Sequence, residues 1–172
     1  MLIITAVGPD KPGMAHAVAQ ILFESGCNIE DTTMTRLSGQ FSMILAVESP
    51  EGASIEALTE KMEKLRDSHG LVVDLTPVVE SETEESDAPR YMLTAYGPEK
   101  TGLLAHLTGV LAQKNVNVTD VQTRVASGGT VYIMLLEVEL PADLEASVLE
   151  AELQSGATEL QISLRAIEEE TL

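Results

Sequence analysis

Thr5-Ala-Val-Gly-Pro-Asp-Lys-Pro-Gly13 returns 89 positions later as Thr94-Ala-Tyr-Gly-Pro-Glu-Lys-Thr-Gly102. The register holds without a gap from residues 5–48 to residues 94–137. Identical pairs along it include Gly8/Gly97, Pro9/Pro98, Lys11/Lys100, Gly13/Gly102, Leu22/Leu111, Asn28/Asn117, Asp31/Asp120 and Ile44/Ile133. A period this long marks a duplicated domain, since solenoid repeats run to roughly 20–50 residues. A copy of roughly 80 residues buries only a modest core, so each copy is expected to lean on its twin or on another chain.

Working outward from the quoted turn, residues 2–7 and 91–96 are short β-prone runs that end at Gly-Pro, and each reads as a first strand. Met14, Val18, Ile21 and Leu22, mirrored by Leu103, Leu107, Val110 and Leu111, follow the i, i+4, i+7, i+8 spacing of one helical face. Pro12 is expected at the opening of the first helix and Gly26 at the C′ position that ends it. Residues 28–37 and 40–48 read as a hairpin about Ser38-Gly39, and residues 117–126 and 130–139 as a hairpin about Ser127-Gly128-Gly129.

Ser54 is placed to cap a second helix with the stripe Ile55, Leu58, Met62 and Leu65, stopping at Gly70. Its counterpart over residues 143–155 carries Leu144, Val148, Leu149 and Leu153. Each copy closes on an alternating strand, Leu71-x-Val73-x-Leu75 and Leu160-x-Ile162-x-Leu164. The order β-α-β-β-α-β, twice, predicts an α+β protein of two ferredoxin-like domains, antiparallel sheets with both helices on one face. The expected domains are residues 1–79 and 90–172. Between them Glu80-Ser-Glu-Thr-Glu-Glu-Ser-Asp-Ala-Pro89 reads as an acidic, solvated linker.

With Lys plus Arg at 10 and Asp plus Glu at 28, the formal net charge is -18. Direct nucleic-acid binding requires cations that displace counterions, so this chain is expected to repel a phosphate backbone. Aromatic content of 3% also leaves little for stacking bases. No apolar run approaches the roughly 20 residues of a membrane span, and residues 1–6 lack a basic leader pattern, so a cytoplasmic protein with no membrane partner is expected. Cys27 is the one cysteine; its counterpart is Val116, which favours a small buried apolar role. Three histidines, His16, His69 and His106, fall at unrelated positions, so no metal site is expected. No nucleophile and base pair is legible, so neither catalytic residues nor a cofactor are expected.

The turn Gly8-Pro-Asp-Lys-Pro-Gly13 and its copy resemble half of a phosphate-binding loop, but Met14-Ala15 and Leu103-Leu104 stand where Lys and Ser or Thr are required. What the turn offers is a helix N-terminus whose N–H groups, flanked by glycines, suit a carboxylate. Asp10 and Glu99 lie beside it as acceptors for an ammonium group, and Asn28 and Asn117 open the next strand. A free amino acid bridging turn and asparagine is one reading; purely conformational uses of the same residues are the other.

Both copies resemble ACT domains, regulatory amino-acid-binding modules with this βαββαβ plan. The resemblance rests on a small turn residue, Lys-Pro-Gly, an apolar helix and Gly-x-Asn-Ile, matched by Gly8 to Ile29. Thr101 replaces the proline in the second copy, and Asn115-Val-Asn-Val replaces Gly26-Cys-Asn-Ile. The segments around Gly8 and Gly26 are similar, more narrowly, to the glycine cleavage system transcriptional repressor group. The resemblance implies ligand contacts at Gly8, Asp10, Lys11, Gly13, Met14, Asn28 and Ile29, and at Glu99, Gly102, Leu103, Asn117 and Val118. It further implies a non-catalytic regulator that senses a small amino acid such as glycine, forms homo-oligomers and acts on a transcription factor. A ligand-free dimerisation module is the alternative.

Overall fold

The computed structural model describes residues 1–78 and 88–167. Residues 80–87 of the expected linker lie outside the described residues. The chain divides into two compact units, Met1–Glu84 and Glu85–Leu172.

The first unit runs β1 (Leu2–Pro9), α1 (Met14–Glu24), β2 (Asn28–Leu37), β3 (Gln40–Glu48), α2 (Ile55–His69) and β4 (Val72–Pro77). The second runs β5 (Arg90–Pro98), α3 (Leu103–Gln113), β6 (Asn117–Ala126), β7 (Val131–Glu139), α4 (Ala146–Gly156) and β8 (Gln161–Ala166). Each sheet is antiparallel, in the orders β2-β3-β1-β4 and β6-β7-β5-β8. This is the expected α+β architecture, two ferredoxin-like βαββαβ domains.

Period-two alternation explains why one face of each sheet is covered. Leu2, Ile4 and Ala6 on β1 and Phe41, Met43, Leu45 and Val47 on β3 point inward, where Met14, Val18 and Leu22 of α1 and Leu58, Met62 and Leu65 of α2 meet them. The second core repeats the scheme with Leu93, Ala95, Met134, Leu136 and Val138 under Leu107, Leu111, Leu149 and Leu153. The intervening residues form a helix-free face that keeps apolar groups in solvent, among them Ile44 and Leu135.

Most helix ends follow the sequence signals. The Ser54 hydroxyl accepts the Ala57 N–H at 3.1 Å, and Gly70 ends α2 at φ 73°. Gly26 has φ 71°; in the second unit Asn115 takes its place at φ 54°, as asparagine tolerates the left-handed region better than most residues. Two expectations about the helices are corrected. Pro12 precedes the helix instead of opening it, because Gly13 is the N-cap at φ 96° and helical dihedrals begin only at Met14. In α4 the helix begins at Ala146, so Leu144 packs on the core from a preceding turn, and Val148 faces solvent beside the buried Leu149. Cys27 is half-buried instead of fully buried, while its counterpart Val116 is buried. Burial pushes the Cys27 thiol pKa up, and nearby Lys61 opposes that shift.

The last strands of the two units are finished differently. In the second unit the Ile162 N–H donates to Gln154 Oε1 at 3.1 Å and the Leu164 N–H to Glu150 Oε2 at 2.7 Å, while Gln154 Nε2 donates to the Leu160 carbonyl at 2.7 Å. These side chains of α4 occupy backbone groups of β8 that an edge strand otherwise leaves open. Matching the buried Leu149 and Leu153 to Leu58 and Met62 puts Thr59 and Glu63 at the equivalent places of α2. Thr59 bonds its own helix at the Ile55 carbonyl, and among the described residues no side chain bonds the N–H of Val73 or Leu75.

Candidate functional site

Each unit carries the glycine-flanked turn from its first strand into its first helix. Gly8 and Gly97 sit where β1 and β5 pass close under the turn that precedes the last strand: a Cβ would stand 2.7 Å from the Gly70 carbonyl oxygen in one and 2.6 Å from that of Glu159 in the other. The strand end, and with it the turn, is thereby held against the core. The Asp10 N–H then donates to the Gly39 carbonyl at 3.0 Å, and the Glu99 N–H to the Thr130 carbonyl at 3.4 Å, tying each turn to the β2–β3 or β6–β7 connection.

Gly13 and Gly102 are the N-caps, at φ 96° and 91°, and no side chain caps either helix. A Cβ at either glycine would meet nothing within 4 Å, so the space before both helix starts is open. The first-turn N–H groups and the helix dipole make such a place favourable for a carboxylate. In the second unit this space is a cavity of about 450 Å³ whose lining includes Glu99, Lys100, Gly102, Leu103, Gly129 and Tyr132. Beyond Lys100 a neighbouring cavity of about 310 Å³ is lined in part by His106 and Glu159, and Lys100 Nζ lies 3.5 Å from Glu159 Oε1.

The charged groups of the two turns are not equivalent. Asp10 Oδ2 lies 3.4 Å from Arg36 Nη1, so in the first unit an ammonium group would compete with a guanidinium for that carboxylate. The second turn holds Glu99 at the cavity wall. Tyr132, His106 and Glu159 are lining residues that sequence reasoning did not select. For His106 a signal existed, since it follows Gly102 by four residues and so returns to the same helix face one turn later.

The structure brings Gly8, Asp10, Lys11 and Gly13 together at one turn and Glu99, Gly102 and Leu103 at the other. Met14 is 4% exposed and belongs to the core. Ile29 and Val118 are half-buried and pack against their cores. The asparagines are elsewhere. Asn28 pairs with Glu48 and Asn117 with Glu139, whereas the turn ends of the sheets are the pairs Pro9/Gln40 and Pro98/Val131. Eight residues of strand separate the two ends, roughly 26 Å at the rise of a β-strand. Asn28 Nδ2 donates to Glu30, and Asn117 Nδ2 donates to Glu139 Oε2 at 3.0 Å. Within one unit, the turn and the asparagine do not meet at one small ligand.

Among the described residues, no group of three or more His, Cys, Asp or Glu side chains is arranged to hold a metal ion, and no helix is long and apolar enough to cross a membrane.

Comparison with known proteins places these features in a family. The family model for the ACT domain matches twice, over residues 1–76 and 90–166. The chain is 24% identical over 166 residues to the glycine cleavage system transcriptional repressor of Escherichia coli, covering 92% of this chain and 85% of that protein. It is also 32% identical over 72 residues to a UPF0237 protein of Methanopyrus kandleri, covering 41% of this chain and 80% of the relative. A crystal structure of an unknown protein from Galdieria sulphuraria shares the fold, with a TM-score of 0.79 and 23% identity over 97% of this chain and 98% of that one. Two matches to one family model, each coinciding with a βαββαβ unit and its glycine-capped first helix, show that the chain belongs to the ACT-domain family.

Proposed function

We propose that this chain is a non-catalytic regulator whose ACT units bind a small free amino acid, with glycine the first candidate, and that binding alters its contact with a partner transcription factor. The observation that carries the reading is the repeated uncapped helix start: Gly13 and Gly102 leave open space before N–H groups that favour a carboxylate. In the second unit Glu99 stands at the same cavity, able to accept from an ammonium group. The two ends of a zwitterion therefore have complementary groups within one wall. Similarity to a glycine cleavage system transcriptional repressor supports glycine as the candidate and a transcription factor as the partner.

Because each asparagine lies at the far end of its own sheet, a ligand touching both a turn and an asparagine draws them from two different copies of the unit. Such a ligand acts as a regulator only by binding one arrangement of the copies more tightly than another. The net charge of -18 suits contact with a protein surface and disfavours direct contact with nucleic acid.

Titration calorimetry against glycine, serine and the other small amino acids tests the reading, with Asn28→Ala and Asn117→Ala measured alongside the parent chain. Saturable binding that weakens in one or both variants is expected. Silence at millimolar amino acid with an intact fold would leave a ligand-free dimerisation module, and unchanged binding in both variants would remove the asparagines from the site.

A further inference from the structure

We infer that the outer edge of β4 receives an extended, basic segment of a partner protein, added antiparallel to the four-stranded sheet of the first unit. β4 is an edge strand, and in an antiparallel ladder bonded and non-bonded pairs alternate. The Val78 N–H donates to the Met1 carbonyl at 3.0 Å, continuing the register Leu2/Pro77, Ile3/Thr76, Ile4/Leu75, Thr5/Asp74 and Ala6/Val73. The phase set by that bond turns the backbone groups of Val73, Leu75 and Pro77 outward. Among the described residues, the side-chain bonds of α2 go to other groups than the N–H of Val73 or Leu75. The twin strand β8 is closed at the equivalent places by Gln154 and Glu150. An open row of donors and acceptors is a template for an added strand.

Register and charge disfavour a second copy as that strand. Two copies of β4 that use the groups of both Val73 and Leu75 pair these residues with each other, which sets Asp74 opposite Asp74. Like charges directly opposite destabilise a sheet. A shifted register brings up Pro77, which has no N–H, or Leu71, whose N–H already donates to the Leu65 carbonyl at 3.1 Å. Asp74 is exposed and forms no ion pair among the described residues. A basic residue opposite it turns the repulsive position into an attractive cross-strand pair.

The helix side of the same edge asks for a second cation. A cavity of about 280 Å³ is lined there by Glu63, Arg66, Asp67, Leu71 and Val73. Glu63 and Asp67 stand four residues apart on one helix face, and neither forms an ion pair among the described residues. A partner residue paired with Val73 points to the helix side, as Val73 does, and so enters this cavity. Leu71 and Val73 suit the apolar stem of a lysine or arginine, and the two carboxylates suit its charged end. Arg66 is the one cation of the lining, so the lining stays net negative. The recognised segment therefore carries two adjacent basic residues, one opposite Asp74 and the next opposite Val73. With 10 basic residues against 28 acidic ones, the chain as a whole attracts such a segment.

Fluorescence anisotropy of the full chain with the labelled peptide Thr-Val-Lys-Arg-Val-Thr tests the edge. Saturable binding is expected. The same peptide N-methylated on its first valine and its arginine keeps its charge but loses the ladder, and is expected to bind about tenfold more weakly or worse. Thr59→Glu combined with Glu63→Gln places on α2 the two side chains that close β8, at unchanged net charge, and is expected to cost about tenfold or more. Asp74→Lys is expected to weaken binding about fivefold. Circular dichroism checks that each variant is folded, and the assay contains no free amino acid, so its outcome is separate from that of the amino-acid reading. No binding to the parent at millimolar peptide, equal binding of the N-methylated peptide, or a closed-edge variant that binds like the parent would overturn the proposal. A parent dimer that the closed-edge variant dissolves in sedimentation equilibrium would put a second copy at β4 and overturn it equally.

Discussion

Replacing Gly97 by alanine isolates the contact that seats the second turn. The dihedrals of Gly97 are ordinary for a strand, so the substitution is decided by space alone. The added methyl would stand 2.6 Å from the Glu159 carbonyl oxygen, 2.8 Å from Leu160 Cδ2 and 3.2 Å from Leu160 Cα. The backbone between α4 and β8 would have to retreat by roughly 0.8 Å to reach an ordinary contact. It is poorly placed to do so, because Leu160 is 2% exposed and its carbonyl is bonded by Gln154.

Overpacking of this kind costs about 1–3 kcal/mol. A small unit with a urea dependence near 1 kcal/mol per molar would then lose about 1–3 M of its unfolding midpoint. Gly109→Ala is the internal control. Gly109 lies in the middle of α3, has no positive φ and would meet nothing within 4 Å, so alanine is expected to stabilise by about 0.4–1 kcal/mol. Far-UV circular dichroism in urea reads both variants, and Gly8→Ala repeats the test in the first unit, where the methyl would lie 2.7 Å from the Gly70 oxygen. A Gly97→Ala midpoint equal to or above that of the parent would refute the close-approach argument.

Removing the bonds on β8, with Gln154→Ala or Glu150→Ala, is expected to lower stability by about 1–3 kcal/mol, the charged acceptor Glu150 giving the larger loss. Light scattering during heating is expected to show earlier aggregation for both than for the parent, and unaltered onset would argue that the bonds do not protect that strand. The Cys27 thiol, raised by burial, should react with a thiol reagent more slowly in the folded chain than in urea at the same pH. Since its folded pKa exceeds the unfolded one, its contribution to stability is complete below the unfolded value of roughly 8.5 and is lost as pH rises through the folded value. Cys27→Ser should flatten that part of the stability profile.

Much of the fold was legible because apolar periodicity and repetition report the same elements twice. Leu2, Ile4 and Ala6 alternate, Met14, Val18 and Leu22 recur at helical spacing, and the second copy repeats both patterns with different residues. α4 was less legible because Leu144 and Val148 also fit a helical stripe, and only the start at Ala146 decides which of them reaches the core. The turn was legible from its glycines. Its distance from the asparagine was not, since proximity in the chain suggested proximity in space. An 11-residue helix carries the chain back roughly 16 Å along the sheet before β2 or β6 begins. Glu150 and Gln154 read as ordinary polar residues of an exposed helix face; their partners are backbone groups several residues further on, which no local pattern marks.

The bonds from α4 to β8 also bear on how large an assembly of these chains can grow. A ribbon made by adding strand to strand elongates only while every new member brings a fresh border, and the second unit has one of its two borders already occupied. A further strand could join that sheet only beside β6, so growth through it is one-sided. The duplication has thus given one half of the molecule a terminus where indefinite stacking ends.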